Sequence, residues 1–221
     1  MDEIKAVIFD MDGTITPTAN SWLATTLGLG ASVDDHKAIY FKGFKEGNVS
    51  YDNSRAQLIK LWRETGHATR AYLQEMFESW PVIREAEELI SFFRSKGLKI
   101  ALITSATSMY AAIVAKKFSI DDYYASGELI FDQDGNLVDF HFPHDDSQHK
   151  LEDLHDFCHK YSLTPQYVVA LGDSDNDVHI FTETKRGILV GQDKPQILRE
   201  VAWKEANDLT EVKDLLNPLL K

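Results

Sequence analysis

A single cysteine, Cys158, is all the thiol chemistry available to this chain of 221 residues. It excludes an internal disulfide, so the fold needs no oxidising compartment. Proline is limited to 6 residues and glycine to 12, which excludes collagen-like and low-complexity classes. No apolar run approaches the roughly 18 residues of a membrane span. The opening Met1-Asp2-Glu3-Ile4-Lys5 lacks the layout of a secretory signal, so a cytoplasmic location is the expectation. Basic residues are also in deficit. Against 35 Asp and Glu stand 23 Lys and Arg, a net charge of −12, which repels nucleic acid and anionic membranes. What remains, 43% apolar and 26% charged residues, is the composition of a globular protein with a substantial core.

Four short apolar runs read as strands buried on both faces: residues 6–9, 99–103, 167–171 and 187–190. Helical periodicity precedes two of them, over 85–94 and 151–161. Such alternation predicts an α/β fold, a Rossmann-like parallel sheet covered by helices on both faces. Two stretches interrupt it. Between 15 and 82 there is no strand-like run, but Tyr51, Ser54, Arg55, Leu58, Ile59 and Trp62 recur at three- and four-residue spacing, which predicts an inserted helical cap domain. The expected division is a core of 1–14 and 83–221 and a cap of 15–82. Over 128–140, apolar residues alternate around Asp134-Gly135, the signature of a β-hairpin.

Polar chemistry collects where the strands end. Asp10 and Asp12 are two residues apart, a spacing that sends both side chains to the same side of an extended chain. Two adjacent carboxylates need a cation or a shared proton, although an acidic strand end by itself is also a common surface feature. The run Gly172-Asp173-Ser174-Asp175-Asn176-Asp177 follows another core strand. Carboxyl ends of parallel strands lie together, so Asp173 is expected to face Asp10 across one crevice. Hard oxygen ligands in that arrangement suit Mg²⁺. A calcium loop is disfavoured, because Val178 stands where it needs glycine and Thr184 where it needs glutamate. Thr104 and Ser105 end the second run and can bind an anion or simply cap the following helix. Lys150 is expected just before a helix, where the dipole disfavours a cation, so a charged partner such as the acidic centre is expected.

Taken in order, Asp10-Met11-Asp12-Gly13-Thr14, Thr104-Ser105, Lys150 and Gly172-Asp173 with Asn176-Asp177 resemble the motifs of the haloacid dehalogenase superfamily. The spacing from Lys150 to Asp173 and the insert after the first motif resemble its phosphoserine phosphatase branch. The resemblance implies a Mg²⁺-dependent phosphomonoester hydrolase acting on a small phosphorylated metabolite. Asp10 would be the nucleophile that becomes an aspartyl phosphate, and Asp12 the acid and then the base. Thr104, Ser105, Lys150 and Asn176 would bind phosphate. Asp10, the backbone carbonyl of Asp12, and Asp173 would hold the metal, with Asp177 supporting Lys150 and the metal waters. A phosphotransferase would use the same residues. A phospho-accepting signalling module is disfavoured, since its aspartate follows a central strand with no second acid two residues on.

The substrate-reading positions of the branch are different here. Ala19 and Leu58 stand where a glutamate and an arginine are expected. Arg55, one helical turn before Leu58, is the candidate replacement, with Lys42, Lys45 and Tyr51 as further possibilities. Trp22, Tyr40, Phe41, Phe44 and Trp62 read as cap core, and His141, His144 and His149 as surface residues without the spacing of a zinc site.

Overall fold

Seven strands form one sheet in the order β4-β3-β2-β1-β5-β6-β7. The computed structural model that gives this fold describes residues 3–39, 50–192 and 194–220. β1 (Ala6–Phe9), β5 (Val168–Gly172) and β6 (Gly187–Val190) are almost wholly buried, as their apolar runs require. β1 lies in the centre, parallel to β2 (Lys99–Thr107) and β5, with Phe9 beside both Leu102 and Leu171. The order also shows that a central position does not separate Asp10 from the aspartate of a phospho-accepting module; the second acid and the helical insert do.

Side chains alternate along the sheet as a two-residue period demands. Val7, Phe9, Leu102, Val169 and Leu171 join one apolar cluster, and Ala6, Ile8, Ala101, Ile103, Val168 and Ala170 join another. The first is covered by α5 (Arg84–Ser95), α6 (Ser108–Phe118) and α10 (Leu209–Leu216). The second is covered by α7 (Asp146–Tyr161), α8 (Val178–Thr184) and α9 (Gln196–Val201). β3 (Asp122–Phe131) runs parallel to β2 and then turns back antiparallel as β4 (Leu137–His141), so the expected hairpin is present. Its first half, like the three-residue β7 (Lys204–Ala206), is too polar to stand out as a core strand.

The described residues between β1 and α5 carry helices, as expected: α1 (Ser21–Gly28), α2 (Val33–Ile39), α3 (Tyr51–Glu64) and α4 (Arg70–Ser79). Side chains Asn20, Ser50 and Thr69 cap α1, α3 and α4, the polar caps such helix starts favour. Trp22 stacks on Trp62 at 6.1 Å and meets Phe140 of β4 at 5.0 Å. Trp62 and Leu58 are therefore core residues shared with the sheet. Tyr40, Phe41, Lys42, Phe44 and Lys45 lie outside the described residues. Among the described residues, no helix is long and apolar enough to cross a membrane.

A histidine inside the insert makes its stability pH-dependent. His36 of α2 is buried, with Nδ1 2.7 Å from Thr26 Oγ1, which also accepts from Trp62 Nε1 at 2.9 Å. Burial lowers its pKa from 6.5 to about 4. The folded state refuses a proton that the unfolded chain takes up, so the stabilisation present above pH 6.5 is lost as the pH falls towards 4. Urea midpoints of the wild type and His36→Gln, compared at pH 7.5 and 4.5, are expected to show an extra loss of about 2 kcal/mol in the wild type alone. Equal losses in the two proteins would refute this role.

Candidate active site at the carboxyl ends of the central strands

Asp10 follows directly on β1, and its N–H still bonds to Leu171 O of β5 at 2.8 Å. The chain then turns tightly: the carbonyl of Met11 accepts from the N–H groups of Ile15 and Thr16, both at 3.0 Å. Gly13 makes this possible with φ +76°, and a Cβ there would lie 2.2 Å from Asp173 Oδ2. Glycine thus provides both the left-handed backbone and the space that lets Asp173 approach the first loop. Thr14 Oγ1 donates to Asp173 Oδ1 at 3.3 Å and ties the two loops together.

Asp173 begins the loop after β5. Ser174 and Asp177 form a reciprocal cap around the short turn Asp175–Asp177, and Asp177 Oδ2 accepts the N–H of Asp173 at 3.1 Å. Asp177 Oδ1 accepts from Lys150 Nζ at 2.8 Å. The same ammonium donates to Asp10 Oδ1 at 2.8 Å and to Asn176 Oδ1 at 3.0 Å. Lys150 is fully buried and thus has all three of its donors satisfied.

The expectation that Lys150 precedes a helix is corrected. Asp145 caps Gln148 N at 2.9 Å, which starts α7 at Asp146 and puts Lys150 inside the helix. A second correction concerns Thr104 and Ser105. They do not end their strand, because β2 continues to Thr107, whose hydroxyl caps α6. Thr104 Oγ1 accepts from Ala106 N at 3.1 Å, leaving its own hydroxyl proton to donate. Ser105 Oγ accepts from Asn176 Nδ2 at 2.9 Å and donates to Asp146 Oδ2 at 3.2 Å.

Electrostatics distinguish the two aspartates of the first loop. Burial raises the Asp10 carboxyl well above the carboxylate range, Lys150 opposes this, and Asp177 and Asp173 add to it. Burial pushes Asp12 up to about 6, although the N–H of Ser21 donates to its Oδ2 at 2.7 Å and works the other way. Burial, then the charge of Asp177, pushes Asp173 up to about 7. Lys150 is held above its ordinary value: burial works against its charge, but Asp10 and Asp177 outweigh it.

These residues fit a divalent cation. Asp10, Asp173 and Asp177 present carboxylate oxygens within 4.8 Å of one another, while one ammonium faces all three. Such a set carries an excess of negative charge that hard-oxygen coordination relieves. Asp177 has both oxygens engaged by Lys150 and Asp173 N, so Asp10 and Asp173 are the free ligands. Asp12 Oδ1 is buried and finds no partner among the described residues.

A cavity of about 390 Å³ opens onto Asp10, Asp12, Thr104, Ser105 and Asn176. Its outer wall includes Trp22, Phe142, Asp146 and Asp175, and Ala19 lines it where a glutamate is expected. Trp22 thus belongs both to the core and to the cavity. Phe142 and Asp146 carry no signal in the sequence until α7 is known to start at Asp146, which sets Asp146 one helical turn from Lys150. Arg55 does not line this cavity. Its guanidinium pairs with Asp52 at 3.2 Å and Asp139 at 3.5 Å, beside a separate hollow between α3 and β4. Tyr51 instead braces the wall: its hydroxyl donates to Phe142 O at 2.7 Å and accepts from Phe142 N at 3.1 Å. His141 and His144 are exposed, and His149 pairs with Asp153 at 3.2 Å.

Residues 4–181 match the family model of haloacid dehalogenase-like hydrolases. A phosphoserine phosphatase of Archaeoglobus fulgidus is 21% identical over 90% of this chain, which spans 56% of that protein's length. A phosphoserine phosphatase of Halobacterium salinarum is 29% identical over 86% of this chain and 87% of its own. A solved structure of the phospho-aspartyl intermediate analogue of phosphoserine phosphatase superposes with a TM-score of 0.75 at 20% identity, covering 97% of this chain and 99% of that one. At that identity the last likeness bears on the fold.

Proposed function

The chain belongs to the haloacid dehalogenase-like hydrolases, and from that premise we propose that it is a Mg²⁺-dependent phosphomonoesterase working through an aspartyl phosphate on Asp10. The observation that carries the reading is the convergence of Asp10, Asp173 and Asp177 on one another, with Lys150 bonded to Asp10 and Asp177, at the floor of a cavity that also opens onto Asp12 and Thr104. Residues 15–82 act as the cap over a core of 1–14 and 83–221. Trp22 Nε1 donates to Ser105 O at 2.9 Å and Ser21 N to Asp12 Oδ2, two ties from cap to floor.

Lys150 fixes one oxygen of Asp10 and favours its anion, leaving Oδ2 to attack phosphorus. As that bond forms, the bond from phosphorus to the leaving alcohol breaks, and Asp12 gives its proton to the departing oxygen. Asp12, now a base, takes a proton from water, whose oxygen attacks the aspartyl phosphate, releases inorganic phosphate and restores Asp10. A pKa near 6 suits a group that must both give and take a proton. Thr104, Ser105 and Asn176 face the phosphoryl oxygens, and Lys150 favours them with its positive charge from beneath, since positioning and charge are what this chemistry mainly needs. Mg²⁺, held by Asp10, Asp173 and the Asp12 carbonyl, supplies positive charge towards those oxygens when bound.

The test is hydrolysis of p-nitrophenyl phosphate. Turnover that requires Mg²⁺, is lost in EDTA and returns when Mg²⁺ is restored is the expected outcome. Absence of turnover on this ester and on a panel of phosphorylated metabolites, with Mg²⁺ in excess, would refute the reading.

A further inference from the structure

Resting on the phosphomonoesterase reading, we propose that the leaving group is a small alcohol bearing an ammonium and no carboxylate, so that the substrate class is the phosphate ester of an amino alcohol. The first observation is the sign of the cavity. Among the described residues its charged lining side chains are Asp10, Asp12, Asp146 and Asp175, and none is basic. Two cations among the described residues are committed elsewhere: Lys150 to Asp10, Asn176 and Asp177 beneath the floor, and Arg55 to Asp52 and Asp139 in another hollow. A carboxylate on the leaving group would meet no cation among the described residues and would lose its hydration, a large cost for an unpaired charge.

The second observation is Asp146. Its Oδ2 accepts from Ser105 Oγ at 3.2 Å and from Asn176 Nδ2 at 3.3 Å, two donors of the phosphate side. A carboxylate fixed beside the phosphate opposes a dianion unless the substrate brings its own positive charge. The third is the aromatic wall. Trp22 is pinned by its bond to Ser105 O, and Phe142 lies 5.3 Å from it, edge on, with its backbone held on both sides by the Tyr51 hydroxyl. A fixed aromatic wall combined with carboxylates is the recognition chemistry of an alkylammonium.

The experiment compares kcat/KM, with Mg²⁺ present, for phosphoethanolamine, phosphoserine and glycerol 3-phosphate, with p-nitrophenyl phosphate as the control for the chemistry. Phosphoethanolamine is expected to exceed phosphoserine, which adds one carboxylate, by at least tenfold and to exceed the uncharged-alcohol ester several-fold. Asp146→Asn and Asp175→Asn are each measured as the phosphoethanolamine to glycerol 3-phosphate ratio, which a merely structural loss would leave unmoved. A fall of that ratio towards one in either variant supports the proposal. Turnover of p-nitrophenyl phosphate with phosphoserine or glycerol 3-phosphate equal or preferred overturns it, as does a ratio unchanged in both variants. No turnover even of p-nitrophenyl phosphate removes the premise and the proposal with it.

Discussion

Asp10→Asn is expected to lower kcat for p-nitrophenyl phosphate by on the order of 10⁴-fold or more, because an amide cannot form the aspartyl phosphate. The same variant should fold as well as the wild type in EDTA, or better. Asparagine keeps an oxygen that can accept from Lys150, whose second anionic partner, Asp177, is untouched at 2.8 Å. It also removes a buried carboxylate, crowded by two others, whose pKa is raised by burial and by its neighbours. Lost activity with an unchanged or raised melting temperature separates a missing nucleophile from a damaged fold. Turnover near that of the wild type would eliminate Asp10 as the attacking group.

Lys150→Met is expected to be the most destabilising single change at the site, by about 3–5 kcal/mol in EDTA, the usual cost of removing one partner from a buried ion pair. The methionine fits the aliphatic path of the side chain through α7 but leaves Asp10, Asp177 and Asn176 Oδ1 without their common donor. Part of the loss should return when Mg²⁺ is added, since a bound cation relieves the same repulsion. Arginine should not substitute: a planar fork is larger than the compact ammonium, and the position is fully buried. Urea unfolding with and without Mg²⁺ measures both effects. Wild-type stability of Lys150→Met in EDTA would show that this ammonium does not balance the carboxylates.

How far the site could be read in the sequence depends on how far its parts obey strand logic. β1 and β6 stand where their apolar runs place them. The meeting of Asp10 and Asp173 follows from parallel neighbours in which Phe9, the last residue of β1, pairs with Leu171, the last but one of β5. Thr104 and Ser105 were legible as residues of the site but not as strand interior, because the polar and small residues of the last part of β2 look like a loop. Lys150 was placed outside its helix for a related reason: the first turn of α7, Asp146-Ser147-Gln148-His149, has no apolar periodicity, and its start is set by the Asp145 cap. The cavity wall was hidden altogether. Trp22 and Phe142 are far apart in sequence, and their meeting depends on how α1 packs against the hairpin. Arg55 could not be placed from the sequence, because its pairing with acids on its own helix and on β4, away from the cavity, depends on how α3 packs on the hairpin.

The order of the sheet has a consequence for how the chain is made. β1 is made before the other six strands, yet its hydrogen-bonding neighbours β2 and β5 follow only at residues 99–107 and 168–172. Until then one edge of Ala6–Phe9 is an unpaired apolar template of the kind that recruits foreign strands. Asp10 therefore stays next to an unpaired apolar edge until residues 168–172 have been made. The arrival of Asp173 beside Asp10 and the protection of that edge follow from the same strand pairing.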